Sequence, residues 1–106
     1  MEKKLVRDRI PELIRAEGRT PCVRTLGPKE IVPALREKLV EEVDEYLSDA
    51  RVEELVDIIE VVHALAARFG VDPAGLERRR AAKHDARGGF DKGVFLEGIQ
   101  ETPSDS

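Results

Sequence analysis

A chain of 106 residues and 11.8 kDa holds one domain, with room for one core and one active surface. Charged residues make up 38% and aromatics 4%, with no Trp, a balance that predicts helices with well-solvated outer faces and thin aliphatic interiors, some of them buried only between subunits. A net charge of −4 and a pI near 5.3 exclude general attraction to polymeric nucleic acid or to an anionic membrane.

In chain order, IPELIRAEG opens the structured part: Pro11 suits a first helical turn and Gly18 its end, and the lead-in is basic through Lys3, Lys4, Arg7 and Arg9. TPCVRTLG is β-leaning and bounded by Pro and Gly, and GVFLEGI near the end is similar. Residues 21–26 and 94–99 are therefore expected to pair as a small two-stranded β ribbon.

Helical periodicity runs from Pro28 to Leu47, with Leu35, Leu39, Val43 and Tyr46 on one face. Pro33 lacks a backbone donor and crowds the preceding turn, so regular helix is expected to start there. Ser48 to Arg51 is a short polar break. Val52 to Phe69 then shows helical spacing, with Gly70 as terminator, and two helices this close predict an antiparallel hairpin. Asp72-Pro73 reads as a cap and first-turn proline opening a basic helix through Lys83 that ends before Arg87-Gly88-Gly89. The fold expected is mainly α, an antiparallel helical bundle over 1–99 with a frayed tail at 100–106.

The acidic residues of the hairpin carry the functional question. At about 100° per residue, Glu41, Glu42 and Glu45 share one edge beside the apolar stripe. Glu54 falls inside the apolar arc of the next helix and is expected to be buried, with Asp57 one turn later. Counting outward equally from the middle of the break sets Glu45 opposite Glu54 and Glu42 opposite Asp57, because both helices rise by the same ~1.5 Å per residue. Unit charges ~5 Å apart repel by about 3 kcal/mol at an effective dielectric of 20. Positive charge is required there, and a hard divalent cation, Mg²⁺ above all, suits an all-oxygen patch. The duller reading is a pair of solvated acidic stripes.

The pattern Glu41-Glu42-x-x-Glu45 followed by Glu54-x-x-Asp57 resembles the EExxE…ExxD signature of the all-α nucleoside triphosphate pyrophosphohydrolases, the superfamily of MazG, dimeric dUTPases and phosphoribosyl-ATP pyrophosphohydrolase. KLVRDRIPELI at the start and RRRAAKHDARGGFDKGVFLE at the end look like its small MazG-like members. The gap between Glu45 and Glu54 is shorter than in many MazG proteins, leaving less connection to carry specificity.

The resemblance implies Mg²⁺-dependent cleavage of the α–β phosphoanhydride of nucleoside triphosphates, house-cleaning substrates included, to a nucleoside monophosphate and pyrophosphate, with Mn²⁺ as a substitute. Glu42, Glu45, Glu54 and Asp57 would be the metal ligands. Glu41 would orient the attacking water or complete a second metal's shell. Lys38, Arg79, Lys83 and Arg87 are the candidate phosphate contacts, each weighed against a solvated basic face. Arg7 and Arg9 suit either substrate or a subunit contact.

His63 reads as a packed histidine, Cys22 as a small hydrophobe, Gly88-Gly89 as a release from the helix, and Phe90 as cover for the core or for a base. One cysteine forms no internal disulfide, the opening lacks the apolar run of a signal peptide, and no apolar run nears ~18 residues; a cytoplasmic protein is expected. A homodimer or homotetramer is expected from the nearly encircling apolar residues of the second hairpin helix. Two alternatives stand beside the triphosphate hydrolase: phosphoribosyl-ATP pyrophosphohydrolase of histidine biosynthesis, and a non-enzymatic helical association module.

Overall fold

A computed structural model describes residues 3–101. Four helices account for the order: α1 (Ile10–Ala16), α2 (Pro28–Asp49), α3 (Val52–Ala67) and α4 (Pro73–Arg87), with no strand among the described residues. The fold is mainly α, as expected. Most of the expected tail, 102–106, lies outside the described residues.

The start of α2 departs from expectation, since regular helix begins at Pro28 and runs through Pro33. Glu30 explains the early start: its Oε1 accepts the Gly27 N–H at 3.2 Å, and its Oε2 binds Arg24 at 2.7 Å. Pro28 presets the first turn, and a carboxylate there complements the amino-terminal end of the helix dipole. Pro33 then forfeits one helical hydrogen bond in a helix otherwise well anchored on both sides.

Between α2 and α3 the chain reverses on two residues. Ala50 adopts φ 53°, ψ 39°, left-handed and unusual for a residue with a side chain, and Arg51 is extended. The short turn fixes α2 and α3 as the antiparallel hairpin, and they form the main packing contact of the chain. At the far end, Gly70 (φ 76°) closes α3: its N–H bonds to Ala67 O and that of Val71 to Ala66 O, a Schellman arrangement. Asp72 Oδ1 then accepts the Gly75 N–H at 2.7 Å and caps α4, which touches α3 and continues one turn past Lys83 to Arg87.

The expected β ribbon does not form. Val23 is 58% exposed, and Val94, Phe95 and Leu96 are all largely exposed. Their composition favours strands, but the apolar residues at 94–96 run consecutively instead of alternating, and a lone two-stranded ribbon is marginal without a surface to cover it. For the same reason Cys22 is exposed instead of packed, and Phe90, expected to cover core, is 98% exposed.

Among the described residues the buried apolar side chains are Leu35 and Val61, and they sit with Glu42 and Glu54 on the inner side of the hairpin. The molecule measures 77 × 32 × 22 Å with a radius of gyration of 20.1 Å, against about 13 Å for a compact chain of this length. No helix among the described residues is long and apolar enough to cross a membrane.

Candidate metal centre

Each carboxylate of the site is placed by its helix. Glu42 sits mid-way along α2, where the stripe that buries Leu35 turns it inward, and Glu54 sits in the first turn of α3 on the line that buries Val61. They are 6% and 4% exposed, unusual for acids in a chain with so little core. Asp57 follows Glu54 by one turn and is part-buried. One carboxylate oxygen from each of Glu42, Glu54 and Asp57 lies within 4.8 Å of the others.

Each acid also has a cation of its own. Lys38 Nζ lies 3.1 Å from Glu42 Oε1 and 3.4 Å from Glu41 Oε2. Arg51, in the turn, places Nη2 2.9 Å from Glu54 Oε1. Arg7, ahead of α1, reaches Asp57 Oδ1 at 2.6 Å and Glu60 Oε1 at 4.0 Å. These pairs occupy one oxygen of each carboxylate. Glu42 Oε2 is left fully buried with no hydrogen-bond partner among the described residues, a costly state for a carboxylate oxygen.

Burial opposes the charge on Lys38, yet its hydrogen bond to Glu42 and the charges of Glu41 and Glu42 outweigh that and hold the ammonium above the ordinary lysine range. Glu45 is held above the ordinary carboxylate range, first by the charge of Glu42, then by desolvation, with Glu41 and Glu54 adding to it. The site thus repels further negative charge at its rim.

Of the expected ligands, Glu42, Glu54 and Asp57 converge, while Glu45 is exposed at the margin within electrostatic range of Glu42 and Glu54. Glu41 is half-buried on the Lys38 side. Together with Glu37, Val40, Asp44 and Ser48, Glu41 and Glu45 line an open groove of about 600 Å³ along α2. Lys38 serves as counter-ion inside the cluster. Arg79, Lys83 and Arg87 are exposed on α4 and form no ion pair among the described residues. Arg79 lies instead beside the α3–α4 connection, with Gly70, Val71 and Asp72. His63 is half-buried with Nδ1 sealed from solvent.

Of the cations in the cluster, Arg51 was not singled out from sequence, and Arg7 was expected at substrate or a subunit contact, not at Asp57. Arg51 had a signal, since a basic residue three positions before a buried acid can pair with it across one turn. Arg7 had none, as 50 positions separate it from Asp57.

Fold and site together define a helical-hairpin protein with a buried acidic cluster. An uncharacterized protein of Mycolicibacterium smegmatis (strain ATCC 700084 / mc(2)155) is 67% identical over 42 residues, which are 40% of this chain and 43% of that protein. The matched stretch spans less than half of that relative. No family model and no solved structure matches the chain.

Proposed function

We propose that the chain is a nucleoside triphosphate pyrophosphohydrolase that works with Mg²⁺, or with Mn²⁺ in its place, and splits the α–β phosphoanhydride to a monophosphate and pyrophosphate. The observation that supports it best is the buried, partnerless Glu42 Oε2 beside the carboxylates of Glu54 and Asp57. An all-oxygen donor set with an unmatched buried anion fits a hard divalent cation.

Glu42, Glu54 and Asp57 would hold the ion, and Glu45 would join them from the rim. When bound, Mg²⁺ supplies charge neutralisation for the polyphosphate and acidifies a coordinated water. Lys38, Arg51 and Arg7 hold the three carboxylates by one oxygen each, so the ligands are oriented before substrate arrives. Glu41, at the edge of the α2 groove, accepts a hydrogen bond from the attacking water. That water's oxygen ends on one phosphoryl group, the bridging oxygen leaves on the other, and the released proton passes to solvent. Arg79, Lys83 and Arg87 are cations available to phosphate oxygens once substrate is bound.

Pyrophosphate release from a panel of ordinary, deoxy and modified nucleoside triphosphates, with phosphoribosyl-ATP included, tests the reading in Mg²⁺ and in Mn²⁺. Turnover abolished by Glu54→Gln with helicity retained supports it. Cleavage of phosphoribosyl-ATP alone would move the assignment to the histidine pathway.

A second reading draws on the three ion pairs themselves. A carboxylate cluster already matched by Lys38, Arg51 and Arg7 can serve as a structural network in an association module. Turnover separates the two, since that module, whether its acidic edge binds Mg²⁺ for assembly or pairs with a basic partner, releases no pyrophosphate that Glu54→Gln could abolish.

A further inference from the structure

We propose that Arg7 is an internal competitor for the cation at Asp57: its guanidinium gives up Asp57 when the ion binds, so that loading of the site loosens the amino-terminal segment and α1. The inference rests on the catalytic metal site and adds its regulation, since the strength of the Arg7 contact sets the Mg²⁺ concentration at which the site fills.

The origin of each counter-ion is the first argument. Lys38 stands within α2 and Arg51 in the turn between α2 and α3, so each is fixed to the same hairpin as the acid it pairs with. Arg7 arrives from a segment without regular structure ahead of α1, 50 positions from Asp57. A contact between such distant segments orders chain that the other two pairs do not, and its net balance is the weaker for it.

The geometry makes the contact competitive. Arg7 Nη2 lies 2.6 Å from Asp57 Oδ1, and an Asp57 oxygen is one of the three that lie within 4.8 Å of one another. With an ion held by Glu42, Glu54 and Asp57, the guanidinium shares the Asp57 carboxylate with two positive charges at close range and is repelled across it. Arg7 and Asp57 are 50% and 40% exposed, so water is at hand to solvate the departing cation. Glu60, one turn along α3, offers it a second carboxylate, for Arg7 Nη1 already lies 4.0 Å from Glu60 Oε1.

The amino-terminal segment follows the side chain. Arg7 O accepts the Ile10 N–H at 3.0 Å, which joins the guanidinium anchor to the first turn of α1. Among the described residues α1 packs against none of the other helices. A helix of seven residues is marginal on its own, so loss of the Asp57 anchor leaves α1 to fray.

Mn²⁺ binding followed by electron paramagnetic resonance, together with amide exchange across α1, tests this on the full chain. Arg7→Met should tighten Mn²⁺ binding about fivefold, the effect of one exposed ion pair. Arg19→Met, which removes an equal charge paired with Glu17, should leave Mn²⁺ binding unchanged. Saturating Mg²⁺ should speed exchange at Leu13 and Glu17, whose N–H groups bond along α1, and Arg7→Met should show the fast rate without metal. Unchanged or weaker Mn²⁺ binding by Arg7→Met would mean that Arg7 only orients Asp57; the competition is then overturned while the metal site stands. Exchange in α1 that ignores Mg²⁺ although Mn²⁺ binds overturns the loosening of the segment. Uptake of Mn²⁺ by neither chain overturns the metal site and the competition together.

Discussion

The Lys38 ammonium lies 3.1 Å from Glu42 Oε1 while Glu42 Oε2, on the same carboxylate, is buried without a partner. Half of this anion is matched by the protein and half is left for something else. Lys38→Met removes the matched half and strands the whole charge. Breaking a partly buried pair in this way costs about 3 kcal/mol. The loss should be measured by urea denaturation in chelator and again in millimolar Mg²⁺. Under the metal reading, Mg²⁺ recovers a large part of it, because an ion bound only by the folded state raises stability by mass action. Equal destabilisation in both buffers argues that no cation reaches Glu42.

Ligand replacement gives the complementary measurement. Glu42→Gln, Glu54→Gln and Asp57→Asn keep side-chain volume and remove one anion each from a set whose oxygens lie within 4.8 Å. Each should weaken Mn²⁺ binding, followed by electron paramagnetic resonance, by about 100-fold or more, given that even residues behind the ligands are worth 10–100-fold. Glu45→Gln should cost less, since its carboxylate stands at the rim. If Glu45→Gln is the most damaging of the four, the ligand set has been drawn around the wrong acids.

The hairpin was legible because its signals are local and periodic. The apolar repeat of α2 and α3 and the polar break at Ser48 to Arg51 specify two rods and a reversal, and equal rise per residue brings Glu42 and Asp57 to one height. Burial of Glu54 followed from its place in the apolar arc. Glu45 shares that height as well, but three residues beyond Glu42 it has turned about 60° round the helix, which leaves its carboxylate at the rim within electrostatic range of Glu42 and Glu54. The ribbon failed because β-leaning composition at 21–26 and 94–99 says nothing about what would cover it. Pro33 was given too much weight, because one lost hydrogen bond does not outweigh a first turn held by Glu30. The link from Arg7 to Asp57 is tertiary, and no spacing rule reaches across 50 positions.

The two-residue turn carries a strain that a substitution can release. Ala50 holds φ 53°, where its Cβ crowds the following carbonyl. Ala50→Gly removes that clash but loosens the unfolded chain, and the clash is the larger of the two effects. A net gain of about 0.5–1 kcal/mol is expected, read as a higher midpoint in chemical denaturation with the slope unchanged. A loss of stability at this position would mean that the left-handed turn is not held in solution.

Acid should loosen the start of α2 before it affects the rest of the helix. The Glu30 carboxylate is held below its usual value of 4.5, first by its hydrogen bond from Arg24, then by the Gly27 N–H. A carboxylate depressed in the folded state adds stability above its unfolded value and loses it as pH falls through the folded one. The contribution of Glu30 is therefore complete at neutral pH and fades below about 4.5. Carbon-detected titration of the Glu30 carboxyl should give a midpoint below the ordinary glutamate value of 4.5, and amide exchange at Glu30 and Ile31 should quicken over the same interval. Glu30→Gln should make exchange at these two amides insensitive to pH in that interval, once intrinsic chemical exchange is factored out. Protection that survives full protonation of Glu30 would show that Pro28 alone starts the helix and that the carboxylate cap contributes nothing.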